Sequence, residues 1–257
     1  MGDEQKIMEL LNQKVLFVGI ALFLFVLCEN LFPNEKASLT KKLTRSFKNI
    51  FLWLLNIGLT PILILPITIY ATTLNLHNTF VINNAIGLFI FHLVIYDIFL
   101  YFWHRANHEI KFLWRFHHVH HLDETLDVSS GLRFHFGEVI LSTLVRCAVI
   151  ITFNITLVNL LLIEALVLIS SAFHHSNIKL PKNFERILSY VIVTPSIHWV
   201  HHHKRQKETD SNYCAIFSFW DFLFGTKSNF KRYKGMPIGV EKDKDQSIVK
   251  LITRPLK

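Results

Sequence analysis

Residues 80–121 read FVINNAIGLFIFHLVIYDIFLYFWHRANHEIKFLWRFHHVHH: an apolar run to Trp103, then six histidines in the eighteen positions His104–His121. The run is long enough to cross a bilayer, since a spanning helix needs about 20 mostly apolar residues. The histidines that follow sit at helical spacing. His104 and His108 are i and i+4 on the continuing helix, and His117, His120 and His121 form HxxHH. Residues three and four apart share a helix face, so this spacing aims several ring nitrogens at one point. The stretch reads as a membrane helix ending in metal-type donors.

Outward from this stretch the chain repeats the pattern of long apolar blocks. They run over about Val15–Phe32, Ile50–Tyr70 (with Pro61 and Pro66) and Val139–Phe173, the last broken by polar residues near Asn154–Asn159 into a tight hairpin of two short passes. With 51% hydrophobic residues gathered into blocks, a soluble core is excluded. The predicted fold is all-α: an integral membrane helical protein of about four to five passes, or two membrane hairpins plus an anchor, with a helical His-rich cap.

The net charge of +8 lies between and after the blocks. Lys36, Lys41, Lys42, Arg45 and Lys48 fall in Asn34–Asn49, whereas Ala71–Thr79 is uncharged. The positive-inside rule then puts the N-terminus outside, and both His-rich regions and the C-terminus in the cytoplasm after five crossings. Hairpins dipping in from the cytoplasmic face place the histidines on the same side. No basic run interleaves with stacking aromatics, so no nucleic-acid partner is expected. Cys28, Cys147 and Cys214 form no CxxC pair and are expected as reduced thiols. The N-terminus lacks a cleavage-type signal, which favours a retained anchor over a removed leader. The tail Gly235–Lys257 reads as a solvated extension without chemistry.

A second HxxHH, His198, His201 and His202, lies in HWVHHH, and His175 lies in FHHSN just past the hairpin. The nine candidate donors are thus His104, His108, His117, His120, His121, His175, His198, His201 and His202. A closed zinc site needs only about four ligands, so this set suits two adjacent ions. Imidazole alone does not name the metal. HExxH is absent, which argues against a zincin protease. His77 and His92 read as ordinary surface or core residues. Asp97, inside an apolar block and two turns before His104, is expected to accept the distal N–H of a ligand imidazole, with a structural acid as the alternative. Arg133, His135 and Glu138, and Asp210, Asn212 and Tyr213, are weaker candidates of the same kind.

HRANH, HHVHH and HWVHHH resemble the three histidine boxes HxxxH, HxxHH and HxxHH of the sterol desaturase and fatty acid hydroxylase superfamily. YDIFLYFWHR, GLRFHFGE, FHHSNIKLP and SFWDFLFGT resemble its flanking segments in compact bacterial members. The resemblance spans Phe91–Thr226. It departs at Phe136, where many relatives carry proline, and in the extra His118, His174 and His203, taken as neighbours of the ligands.

The resemblance implies membrane helices over 1–90, a catalytic domain over 91–226 and a cytoplasmic tail over 227–257. It implies a membrane enzyme holding two iron ions, with zinc another occupant of related sites, that uses O2 to hydroxylate or desaturate a membrane lipid. The setting it implies is a bacterial inner membrane rather than the endoplasmic reticulum. A separate electron donor, ferredoxin or cytochrome b5-like, is implied because no haem or flavin motif is present; the basic surface Lys179–Arg186 with Lys204–Lys207 would steer an acidic partner. Phe99, Phe102, Trp103, Trp114 and Trp199 are expected as pocket lining or interfacial anchors. The rival class is a metal transporter or sensor, which would carry its ligands within the spans and not at their ends.

Overall fold

The computed structural model describes residues 3–74 and 82–256; among these the chain is helix and connecting turn, with isolated β-bridges only. His77 lies outside the described residues. Five helical stretches are long and apolar enough to cross a membrane: Met8–Leu31, Leu39–Thr73, Ala85–Glu109, Phe136–Phe153 and Leu157–His175. They correspond to the predicted blocks, including the split hairpin.

The first stretch belongs to α1 (Asp3–Leu31). The second joins α2 (Leu39–Leu59) to α3 (Leu65–Thr73). Pro61 offers no N–H to the preceding turn, and the chain absorbs this in a π turn over Thr60–Ile64. The Thr60 hydroxyl donates to the Asn56 carbonyl there, at 2.7 Å. The 35 residues of Leu39–Thr73 amount to roughly 52 Å, against a hydrocarbon core of about 30 Å. The first turns of α2 therefore stand clear of the membrane.

The third stretch is α4 (Ala85–Glu109), which a break at Ile110 separates from α5 (Lys111–His121). The fourth and fifth are α6 (Phe136–Phe153) and α7 (Leu157–His175). Their hairpin closes through Asn154 in the left-handed region at φ 51°, a conformation asparagine tolerates, and the Thr156 hydroxyl accepts from the Asn159 N–H to start α7. The last window is 33% buried and the first 6%, so α7 is the centre of the bundle and α1 its edge. Accordingly α7 lies against α1, α4 and, beyond the membrane, α9 (Pro195–His201).

Two ionisable residues overlooked in the apolar blocks pair across the bundle. Arg146 of α6 donates to Glu164 of α7 and to the Tyr96 hydroxyl of α4, both at 3.1 Å, while Lys14 of α1 meets the other Glu164 oxygen at 2.6 Å. A charge in hydrocarbon is costly unless so matched, and this set ties four helices together.

The span ends on one side build the cap. Residue 34 N–H donates to the Asn177 carbonyl and residue 179 N–H to the Phe32 carbonyl, each at 2.8 Å. Arg45 is buried, paired with Asp123 at 2.7 Å and with Asp127, so it is a structural cation as well as a loop charge. The rest of the cap holds the short helices α8 (Lys182–Leu188), α10 (Gln206–Thr209), α11 (Phe219–Leu223) and α12 (Ile248–Thr253).

The tail is not a solvated extension. Met236, Ile238 and Leu251 are buried, and Leu251 packs with Leu52, Val119 and Leu122 under α5. Asp245 receives Arg133 at 2.5 Å and Lys48 at 2.7 Å. The sparse apolar residues of a charged segment gave no periodic signal, yet Leu251 fills a gap between α2 and α5, and Met236 and Ile238 pack with Leu126, Trp199 and Val200.

Candidate metal centre

Four segments deliver the nine imidazoles. His104 and His108 end α4, His117, His120 and His121 end α5, His175 ends α7, and His198 and His201 lie on α9 with His202 at its C-cap. The structure brings them into two groups. His104, His108, His117, His121 and His201 form one; His120, His175, His198 and His202 form the other, and in each the nitrogen atoms lie within 4.8 Å of one another.

The HxxHH triplets do not converge as units, contrary to the reading from spacing. In each box the i, i+4 pair enters one group and the i+3 residue enters the other. At about 100° per residue, positions i+3 and i+4 differ by that same angle, so a box lying between two sites feeds both. His118, His174 and His203 fall outside both groups. His118 lies 3.7 Å from Asp243, His174 packs on His198, and His203 accepts from the Arg205 N–H.

Most of the rings are turned by an acceptor at Nδ1. His104 donates to the Tyr213 carbonyl at 2.8 Å, His201 to Ser211 at 2.7 Å, His120 to Arg133 at 3.1 Å and His175 to Ser171 at 2.7 Å. His117 donates to Glu138 at 2.9 Å, and His108 lies 3.3 Å from Asp210. A carbonyl only accepts, so the proton sits on Nδ1 and Nε2 presents a lone pair.

All five Nε2 atoms of the first group are buried without a hydrogen-bond partner. In the second group the Nε2 atoms of His120 and His175 approach to 3.1 Å with no proton left to share. Burial, then the neighbouring imidazoles, hold His120, His121, His198 and His202 well below the ordinary imidazole range. Burial takes His201 down to about 3 against its Ser211 bond. These five rings are therefore neutral at pH 7, the form that ligates metal. The His175 and His198 Nε2 atoms stand 2.9 Å apart and those of His198 and His202 3.1 Å. Converging, desolvated ring nitrogens fit cations, and two groups fit two of them.

Asp97 does not orient an imidazole. Its carboxylate accepts from the Ile216 N–H (3.0 Å), the Phe217 N–H (3.1 Å) and the Trp220 indole (2.8 Å). It fastens the 216–220 turn to the middle of α4, which is the structural alternative. Glu138, Asp210, Tyr213 and Arg133 instead contact the rings, the last two through carbonyls. His135 caps α6 and bonds the Ile252 carbonyl, and Asn212 bonds the Ile197 carbonyl, both away from the groups. Trp199 is not interfacial; it is buried beside Leu126, Val200, Met236 and Ile238, while Trp114 packs on His108 and His121. Ser171 and Ser211 were missed, because a backbone acceptor leaves no side-chain signal. Asn107, which donates to Glu138 at 3.3 Å, was missed too.

The family model described as fatty acid hydroxylase matches residues 89–226. The chain belongs to the fatty acid hydroxylase family. Within this family it is similar to an ornithine lipid hydroxylase of Rhizobium tropici, 32% identical over 58% of this chain and 44% of that protein. An alkylglycerol monooxygenase of Danio rerio is 33% identical over 51% of this chain and 28% of its own length. The human cholesterol 25-hydroxylase is 25% identical over 53% of this chain and 50% of its own. The matched region thus spans half or less of each of these relatives. No solved structure matches the chain. With five apolar spans, this member of the fatty acid hydroxylase family is a multi-pass membrane protein.

Proposed function

We propose that the chain is an O2-dependent hydroxylase of a membrane lipid, with the nine imidazoles holding two iron ions. The observation that carries this reading is the convergence of nine buried imidazole nitrogens, most turned by an Nδ1 acceptor, in two adjoining groups where spans α4 and α7 end. His104, His108, His117, His121 and His201 would hold one ion, and His120, His175, His198 and His202 the other. When bound, iron supplies O2 reduction and the oxidising power that an unactivated C–H bond requires.

The chain supplies the rest. Backbone carbonyls and the carboxylates of Glu138 and Asp210 fix the ring orientations. The buried cap excludes bulk water, and the position at the ends of apolar helices suits a substrate arriving from the bilayer. Residues 91–226 form the catalytic domain in this reading, with the tail completing its floor through Asp245 and Leu251. The basic loops support a cytoplasmic cap in a bacterial inner membrane, where a ferredoxin or cytochrome b5-like donor would supply electrons. Lipid hydroxylases and monooxygenases among the relatives favour hydroxylation over desaturation.

Lipid extracts of cells expressing the chain or its His120→Ala variant, grown under 18O2, test the reading. An 18O-labelled lipid present only with the unaltered chain is the expected result. No labelled species in any lipid class would contradict it.

A further inference from the structure

A cavity of about 1190 Å³ opens beside α9 between the 33–36 turn, the 178–189 stretch with α8, and residues 227–234. None of the nine imidazoles lines it. Eight cationic side chains do, against one carboxylate, Glu185. That carboxylate is already engaged, accepting from the Ser196 N–H at 2.8 Å.

Arg232 sets this cleft apart from a field of surface lysines. Its guanidinium lies 3.5 Å over the Trp199 ring, and Nε and Nη2 are buried with no hydrogen-bond partner. Nε–H and Nη2–H form one edge of the guanidinium, the fork that grips two oxygens of a carboxylate or phosphate. Arg232 makes no ion pair among the described residues. Glu35, the other nearby acid, accepts from the Gly235 N–H at 2.9 Å. Burial draws the Arg232 cation down to about 10, so it stays charged at neutral pH. Buried N–H donors without an acceptor are costly, and none of the described residues accepts from these two.

The rim indicates where an acceptor would come from. On α8, Lys182 and Arg186 line the cleft, whereas Phe184 and Ile187 are 54% and 66% exposed. The adjoining turn exposes Tyr190 and Val191, and residue 218 N–H donates to the Val191 carbonyl, joining that turn to the exposed Phe222 and Leu223. Asp97, within the span Ala85–Glu109 and about 10 Å along it from His104, fastens the same 216–220 segment to α4. A basic cleft edged by such an apolar face matches a charged headgroup with chains in the bilayer.

We propose that this cleft seats the phosphate of an anionic membrane lipid, with Arg232 as its anchor and Lys182 and Arg186 at its mouth. The site goes beyond the oxygenase reading and stands independently of it.

Binding to the full purified chain tests this, using phosphatidylglycerol, phosphatidylcholine of the same acyl chains, and inorganic phosphate as probes. Phosphatidylglycerol should bind saturably, at least about tenfold tighter than phosphatidylcholine, and be displaced by phosphate. Arg232→Gln should weaken it roughly tenfold, the scale of a lost charge-assisted bond. The double variant Lys182→Gln/Arg186→Gln leaves the Trp199 stack intact and should weaken it likewise. Equal binding of both lipids, or unchanged affinity in both variants, would overturn the site. Binding of inorganic phosphate without phosphatidylglycerol would overturn the lipid as its source.

Discussion

The Nε2 atoms of His120 and His175 face each other at 3.1 Å while both rings direct their Nδ1 protons to backbone carbonyls, those of Arg133 and Ser171. Neither ring has a proton to place between them. Two lone pairs so held repel, and a cation between them removes that cost; the His198 Nε2 stands 2.9 Å from His175 at the same place. Removing the metal should therefore destabilise the cap itself. Chelation is expected to lower the unfolding temperature by several degrees and re-addition to restore it, as linkage requires of a ligand that binds only the folded state. An identical unfolding temperature with and without chelator would oppose this.

Glu138 receives both His117 and Asn107. Loss of a carboxylate behind a ligand imidazole typically lowers metal affinity about 10–100-fold. Glu138→Ala should show a drop of that order in competition with a calibrated chelator, and Glu138→Gln, which keeps an acceptor oxygen, a smaller one.

Asp97→Asn separates fastening from ligation. The amide can satisfy only part of the three donors from Ile216, Phe217 and Trp220, and each buried donor left unpaired costs about 1–3 kcal/mol. Thermal unfolding should shift down by that scale while metal content per chain is unchanged. Loss of metal at intact stability would return Asp97 to the imidazoles.

Arg146 and Glu164 are matched inside the bundle. Arg146→Leu leaves Glu164 with Lys14 as its one remaining cation among the described residues and should cost about 3 kcal/mol, whereas Arg146→Leu/Glu164→Leu, in which Lys14 near the start of its span can turn to water, should recover part of the loss. Equilibrium unfolding in detergent measures both. A double variant no more stable than the single would contradict the pairing.

The spans and the histidine boxes were legible in the sequence because each rests on local spacing: a run of apolar residues, or donors three and four apart. The splitting of each HxxHH between two groups was not, since spacing fixes a helix face but not which neighbour stands opposite it. Asp97 misled for a related reason. Its depth in an apolar block marks it as paired, and only the fold shows that the partner is the 216–220 turn, far along the chain. Ser171 and Ser211 act through carbonyls that any residue possesses. The tail's Leu251 and Asp245 lie in a charged segment with no period, so the burial of Leu251 and the pairing of Asp245 are settled by what stands opposite them in the fold.

Metal content of purified wild-type, His104→Ala and His175→Ala chains, loaded with ferrous iron and counted by elemental analysis, tests the central claim most directly. About two ions are expected for the unaltered chain, one for each group of imidazoles, and close to one for each variant. Full retention of metal in both variants would contradict the account.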